Sequence, residues 1–181
     1  MTDEQVLAQT REWVEKAVIG LNLCPFARAV WVRDQVRVVV SRARHVDAFL
    51  DELDRELDLL ATTPAEQIDT TLLVHPALFP DFGQFNDFLG VVDDVVAEHD
   101  LEGVIQVAPF HPQFQFEGTG PDDITNATNR SPFPILHLLR EESVERAVAT
   151  DAGDADAIVE RNMKTLRDLG HDGWARLWNK S

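Results

Sequence analysis

The chain is poor in several things at once, and each scarcity removes a class of function. It has a single cysteine, Cys24, which excludes an intrachain disulfide and fits a reducing compartment. Lysine is confined to Lys16, Lys164 and Lys180, and 16 basic residues face 32 acidic ones for a formal charge of −16. A surface that acidic does not suit nucleic-acid backbones or anionic membranes, both of which need clustered Lys and Arg. It would suit a high-salt cytoplasm or an ordinary acidic protein equally. No run approaches the roughly 18 apolar residues of a membrane span. The acidic, amphipathic start M-T-D-E-Q-V-L-A-Q-T is not a signal peptide, and a cytoplasmic location is expected. Repeats, low-complexity tracts, H-E-x-x-H and C-x-x-C are all missing, so the sequence support for zinc is weak.

What is present is ordinary globular material: 44% hydrophobic and 27% charged residues in 181, enough for one domain over residues 1–181. Thr2 and Gln5 have capping-box spacing ahead of a helix whose apolar face runs from Val6 to Leu21, closing near Gly20-Leu21-Asn22. Val30–Val32 and Val36–Ser41 read as strands, with a possible hairpin between them. A helix over Phe49–Leu60, a strand at Thr70–Val74, a helix over Phe82–Val96 and a strand at Val104–Ala108 follow. This β-α-β-α-β order predicts an α/β fold: a three- to four-stranded, mostly parallel sheet flanked by helices, with two C-terminal helices over 134–149 and 158–169. A ferredoxin-like α+β arrangement is the alternative, should the hairpin make the sheet mixed.

Between Pro109 and Pro134 lies a long segment with no clear period, yet with Phe110, Phe114, Phe116, Ile124 and Phe133 to bury. Such a loop reads as ordered and site-forming. His45, His75 and His111 fall at or just beyond predicted strand ends, where open sheets bind ligands. Each is also compatible with a solvated turn. Asn126, Asn129, Arg130 and Ser131 offer amides, a guanidinium and a hydroxyl just ahead of a predicted helix N-terminus, an arrangement that favours an anion. The bland reading is a capping turn with Arg130 paired to Asp122 or Asp123. His137 and Glu141, four apart on that helix, would share one face as a base and its orienting carboxylate. A divalent metal on His111, His137, Glu141 and Asp122 or Asp123 is a variant. Cys24, just before Pro25, is either a buried apolar residue or a nucleophile in need of a base.

The segments G-L-N-L-C-P-F-A (20–27), F-H-P-Q-F-Q-F (110–116) and D-D-I-T-N-A-T-N-R-S-P-F-P-I-L-H-L-L-R-E (122–141) resemble the signature segments of a bacterial family, domain of unknown function 1415. The resemblance covers nearly the whole chain and implies a cytoplasmic, single-domain protein, with no activity or catalytic residues to carry over. Relatives are expected to show His-Pro-x-Tyr where this chain has Phe114, so a mechanism needing that phenol would not operate here. The expectation is a small-molecule enzyme, a hydrolase or group transferase, holding an anionic metabolite at Asn126, Asn129, Arg130 and Ser131. His111, His137, Glu141 and Cys24 are its candidate catalytic groups. The alternative is a non-catalytic small-molecule or protein-binding module. Cofactor, metal and oligomeric state are left open.

Overall fold

The computed structural model describes residues 1–151 and 155–178. Helix α1 (Asp3–Trp13) opens on the capping box, Thr2 accepting from the Gln5 amide and the Gln5 side chain accepting from the Thr2 amide. It runs straight into a π-helical turn, Val14–Ile19. Asn22 then takes the left-handed conformation (φ 53°) that reverses the chain. Residues Val30–Val32, expected as a strand, lie instead in the short helix α2 (Ala27–Val32). The Cys24 carbonyl accepts from the Ala27 amide and starts the turn, which overrides the strand preference of Val30 and Val32. The possible hairpin therefore has no first strand.

From there the order follows expectation: β1 (Val36–Val40), α3 (Val46–Thr62), β2 (Thr70–Val74), α4 (Phe82–Glu98) and β3 (Ile105–Phe110). The departure comes after the long loop, which ends in a 3-10 segment, Ile124–Asn129. Ile135–Arg140 is not a helix but the strand β4, and only then does α5 (Glu141–Asp151) begin. β4 inserts between β2 and β3, antiparallel to both, giving the order β1-β2-β4-β3 with a single parallel pair, β1 with β2. The sheet is therefore mixed rather than mostly parallel. The physical reason lies in I-L-H-L-L. A central strand covered on both faces is apolar at consecutive positions and loses the alternation that marks a half-buried strand. Ile135, Leu136 and Leu138 are indeed fully buried.

The two faces are covered differently. Leu73, Leu136, Leu138 and Ile105 pack under α3 and α4 through Phe49, Leu53, Leu57, Phe85, Phe88 and Val92. The opposite face, with Leu72, Val74 and Ile135, lies against Val6 and Trp13 of α1 and Val14 of the π turn, with Trp174 and Trp178 alongside. The last helix, α6 (Ala155–Arg176), breaks at Gly170 (φ 67°, ψ 175°) and packs on the 3-10 segment through Leu166, Ala127 and Leu23. Arg140 ties β4 to the turn after α3 by reaching the carbonyls of Leu60, Thr63 and Ile68. No helix among the described residues is long and apolar enough to cross a membrane.

Candidate ligand pocket

The face of the sheet that carries α1 is not fully covered. Beyond Trp13 the helix widens into its π turn, and the chain folds back through Cys24–Arg33 instead of lying flat on the strands. A pocket of about 380 Å³ remains between Thr70, Leu72, His137 and Leu139 below, Val14, Val18 and the Cys24–Trp31 segment above, and Ser143, Val144 and Ala147 of α5 at the side. That volume is within the usual range for small-molecule sites. The π turn has a sequence cause at Gly20, where a β-carbon would stand 2.2 Å from the Lys16 carbonyl oxygen. Trp31 anchors the overlying segment, donating Nε1–H to Glu15 at 3.3 Å beneath the Arg11 guanidinium.

The pocket is mainly apolar and aromatic, with Trp13, Phe26, Trp31 and Phe110 among its walls. Its polar groups are few. Ser143 donates to Asp69 at 3.2 Å, and two arginines, Arg33 and Arg146, stand at the exposed rim. Burial pushes the Cys24 thiol above its ordinary value, opposed by the backbone N–H groups of Phe26 and Ala27, so the sulfur stays a thiol at neutral pH. His137 is pushed down to about 4 by desolvation and stays a neutral imidazole.

Its tautomer follows from the neighbouring hydroxyl. Thr70 Oγ1 lies 2.6 Å from the Leu138 carbonyl oxygen and 2.7 Å from His137 Nε2. Two oxygens that close require the hydroxyl proton between them, because a carbonyl has none to give. Thr70 then accepts at its other side, so Nε2 carries the ring proton. Nδ1 is a bare acceptor with no hydrogen-bond partner among the described residues.

His75 and His111 are different. In each, Nδ1 accepts from the backbone just ahead, Ala77 and Leu78 for His75 and Gln113 for His111, and Nε2 donates to a distant carbonyl, Ala43 and Phe79. Both rings are buried on the other side of the sheet, His75 against Phe49 and His111 between Phe82 and Phe85, and burial lowers both pKa values. They are twin staples that tie strand ends to loops. His45 is the exposed residue before α3 and makes no capping bond.

The 126–131 loop spends most of its polar atoms on itself. Asn126 is fully buried; its Oδ1 accepts from Phe116 N and Thr119 Oγ1, and its Nδ2 donates to Gly120 O. Asn129 donates to the Pro109 carbonyl and Ser131 to that of Phe133. Arg130 pairs with neither Asp122 nor Asp123; its Nε donates to Phe114 O at 3.1 Å and its Nη2 to Pro121 O at 2.6 Å. Asp123 instead caps the 3-10 segment through the Thr125 hydroxyl and amide, which hold its carboxyl below the usual range. Two expectations built on a helix after this loop fall with that helix. The anion-favouring N-terminus is absent, since Pro132–Pro134 lead into β4. Nor do His137 and Glu141 share a helical face: four residues of extended strand put them about 13 Å apart, and Glu141 opens α5.

Cys24 and His137 thus border one pocket, whereas Arg130 and Ser131 border a second recess of about 480 Å³ with Trp174 and Trp178; Trp13 lines both, and donates Nε1–H to the Arg130 carbonyl. His111 lines neither. No cluster of three or more His, Cys, Asp or Glu suited to a metal occurs among the described residues, so the four-ligand metal set is not assembled. Thr70 and Trp13 were not legible as site residues. The one available signal was a polar residue opening a buried strand.

Fold and pocket together define a mixed α/β protein with an aromatic-walled cavity on one sheet face. The family model described as Protein of unknown function (DUF1415) matches residues 5–176, and the chain belongs to that family. No curated protein and no solved structure matches it.

Proposed function

We propose that this protein binds a small, largely apolar molecule in the pocket between β2, β4 and the Cys24–Trp31 segment. The observation that carries the reading is a concave, aromatic-walled cavity of about 380 Å³ lined by His137, whose Nδ1 has no hydrogen-bond partner among the described residues. Apolar walls with few, placed polar groups are the usual form of a small-molecule site. Of the two functional classes, binding is favoured over catalysis. At neutral pH the Cys24 thiol is un-ionised and His137 is too weak a base to activate it, so the two do not form a nucleophile and base pair.

The test is a plug at the mouth. Ala29 is exposed and lines the pocket. Ala29→Trp should abolish binding of an apolar fluorescent probe while leaving the unfolding midpoint within about 0.5 kcal/mol of wild type, as for an exposed substitution. Equal binding by both proteins would reject the pocket.

A second reading, a hydrolase or group transferase acting on an anionic metabolite at Asn126–Ser131, retains one supporting observation. Arg130 and Ser131 border the second recess, and Nη1 of Arg130 makes no hydrogen bond among the described residues. One guanidinium nitrogen is less than the bidentate grip expected of an anion site, so this reading ranks below the first.

A further inference from the structure

The free Nδ1 acceptor of His137, a residue lining the pocket, constrains the chemistry of the occupant. An acceptor in a pocket that no protein group meets is open to a ligand's proton, and a ligand that supplies it gains that hydrogen bond. Thr70 offers no proton to a ligand, because its hydroxyl is committed to the Leu138 carbonyl. The Cys24 sulfur already faces the N–H groups of Phe26 and Ala27. At the floor, then, the pocket presents an acceptor and no free donor. A carboxylate, phosphate or ketone turned inward would set lone pair against lone pair. A cation would meet the guanidinium groups of Arg33 and Arg146, which line the same pocket.

We infer that the pocket selects an uncharged aromatic molecule carrying an O–H or N–H group, which donates to Nδ1 of His137 while its ring lies among Trp13, Trp31 and Phe110. The inference rests on the pocket reading above and deepens it from "apolar" to a donor-bearing aromatic. Desolvation, which lowers the imidazole pKa to about 4, preserves the acceptor at neutral and mildly acid pH. Phe110, 6.0 Å from the His137 ring centre to centre, flanks the acceptor on the β3 side. The twin staples His75 and His111 show the contrast: both of their ring nitrogens are satisfied within the chain, so neither offers this function.

The experiment compares indole with benzothiophene, its sulfur isostere without a donor, by calorimetric titration of the full chain. One neutral hydrogen bond to a desolvated acceptor predicts roughly 3- to 10-fold tighter binding of indole. His137→Phe should bring the two affinities together. As that variant also removes the bond to Thr70, a nitrogen-15 NMR measurement on wild type stands beside it. Nδ1 of His137 should resonate as an unprotonated nitrogen and shift on adding indole but not benzothiophene. Equal affinities in wild type, or an Nδ1 signal indifferent to indole, would overturn the donor inference and leave the pocket reading standing. If neither compound binds at millimolar concentration, the pocket reading fails and this inference with it.

Discussion

Replacing Asn126 decides what the long loop is for. Its amide stands fully buried at the centre of the 111–134 segment, bonded at 2.9 Å to Phe116 N, 2.8 Å to Thr119 Oγ1 and 2.9 Å to Gly120 O. In Asn126→Ala two of the three partners keep another bond: Thr119 Oγ1 still donates to Phe116 O, and Gly120 O still accepts from Asp123 N. The Phe116 N–H is left with none. Two lost bonds and the shared one from Thr119, at about 1 kcal/mol each, with a half-buried amide left unpaired, give a loss of about 2–4 kcal/mol. For a chain of this size that is roughly 6–12 °C in Tm. Asn126→Asp should cost as much, because it keeps both accepted bonds but turns a second carboxylate oxygen towards the Gly120 carbonyl. Urea unfolding followed by tryptophan fluorescence gives both values from the shift in midpoint at constant slope. If both variants unfold within about 0.5 kcal/mol of wild type, the amide is not a brace, and its place in an anion site would be restored.

Two further outcomes follow from the same geometry. Gly20→Ala, ordinarily a neutral or stabilising change near a helix end, should cost on the order of 1–3 kcal/mol, because the added carbon meets the Lys16 carbonyl oxygen at 2.2 Å and the backbone of the π turn must move; a variant as stable as wild type would contradict it. The pH dependence has two signs. His75, His111 and His137 have folded pKa values below 6.5, so their contribution is full above 6.5 and is lost as pH falls; for His137 the gap down to about 4 corresponds to about 3 kcal/mol, and His137→Phe should flatten the stability profile between those limits. His99, raised by its bonds to Asp54 and Asp58 across α3 and α4, acts oppositely: its support is full below 6.5 and lost as pH rises through its folded value, so His99→Gln should lower stability at mildly acid pH and not at pH above that value.

Much of the layout was legible because it follows from periodicity. The capping box at Thr2, the amphipathic runs of α3 and α4, and the continuous apolar β2 are local signals, and each element formed where they stand. β4 was not legible, since a strand buried on both faces and a buried helical segment look alike over six residues, and Pro134 suits either start. That one exchange removed the predicted helix N-terminus and the His137–Glu141 face together. The loop's polar residues were read as facing outward to a ligand; burial of Asn126 and the demands of a long irregular backbone turned them inward. Conversely, Thr70 gains its importance only from lying across the sheet from His137, a relation between residues 67 apart that no local pattern carries.

The most direct measurement of the central claim uses the chain's four tryptophans as position markers. Trp13 and Trp31 line the pocket beside His137, whereas Trp174 and Trp178 line the second recess. In proton–nitrogen spectra of the wild-type protein titrated with indole, the indole N–H signals of Trp13 and Trp31 should move in a saturable way while those of Trp174 and Trp178 stay in place. Movement of Trp174 and Trp178 without Trp31, or no movement at all, would contradict a small-molecule site on this face of the sheet.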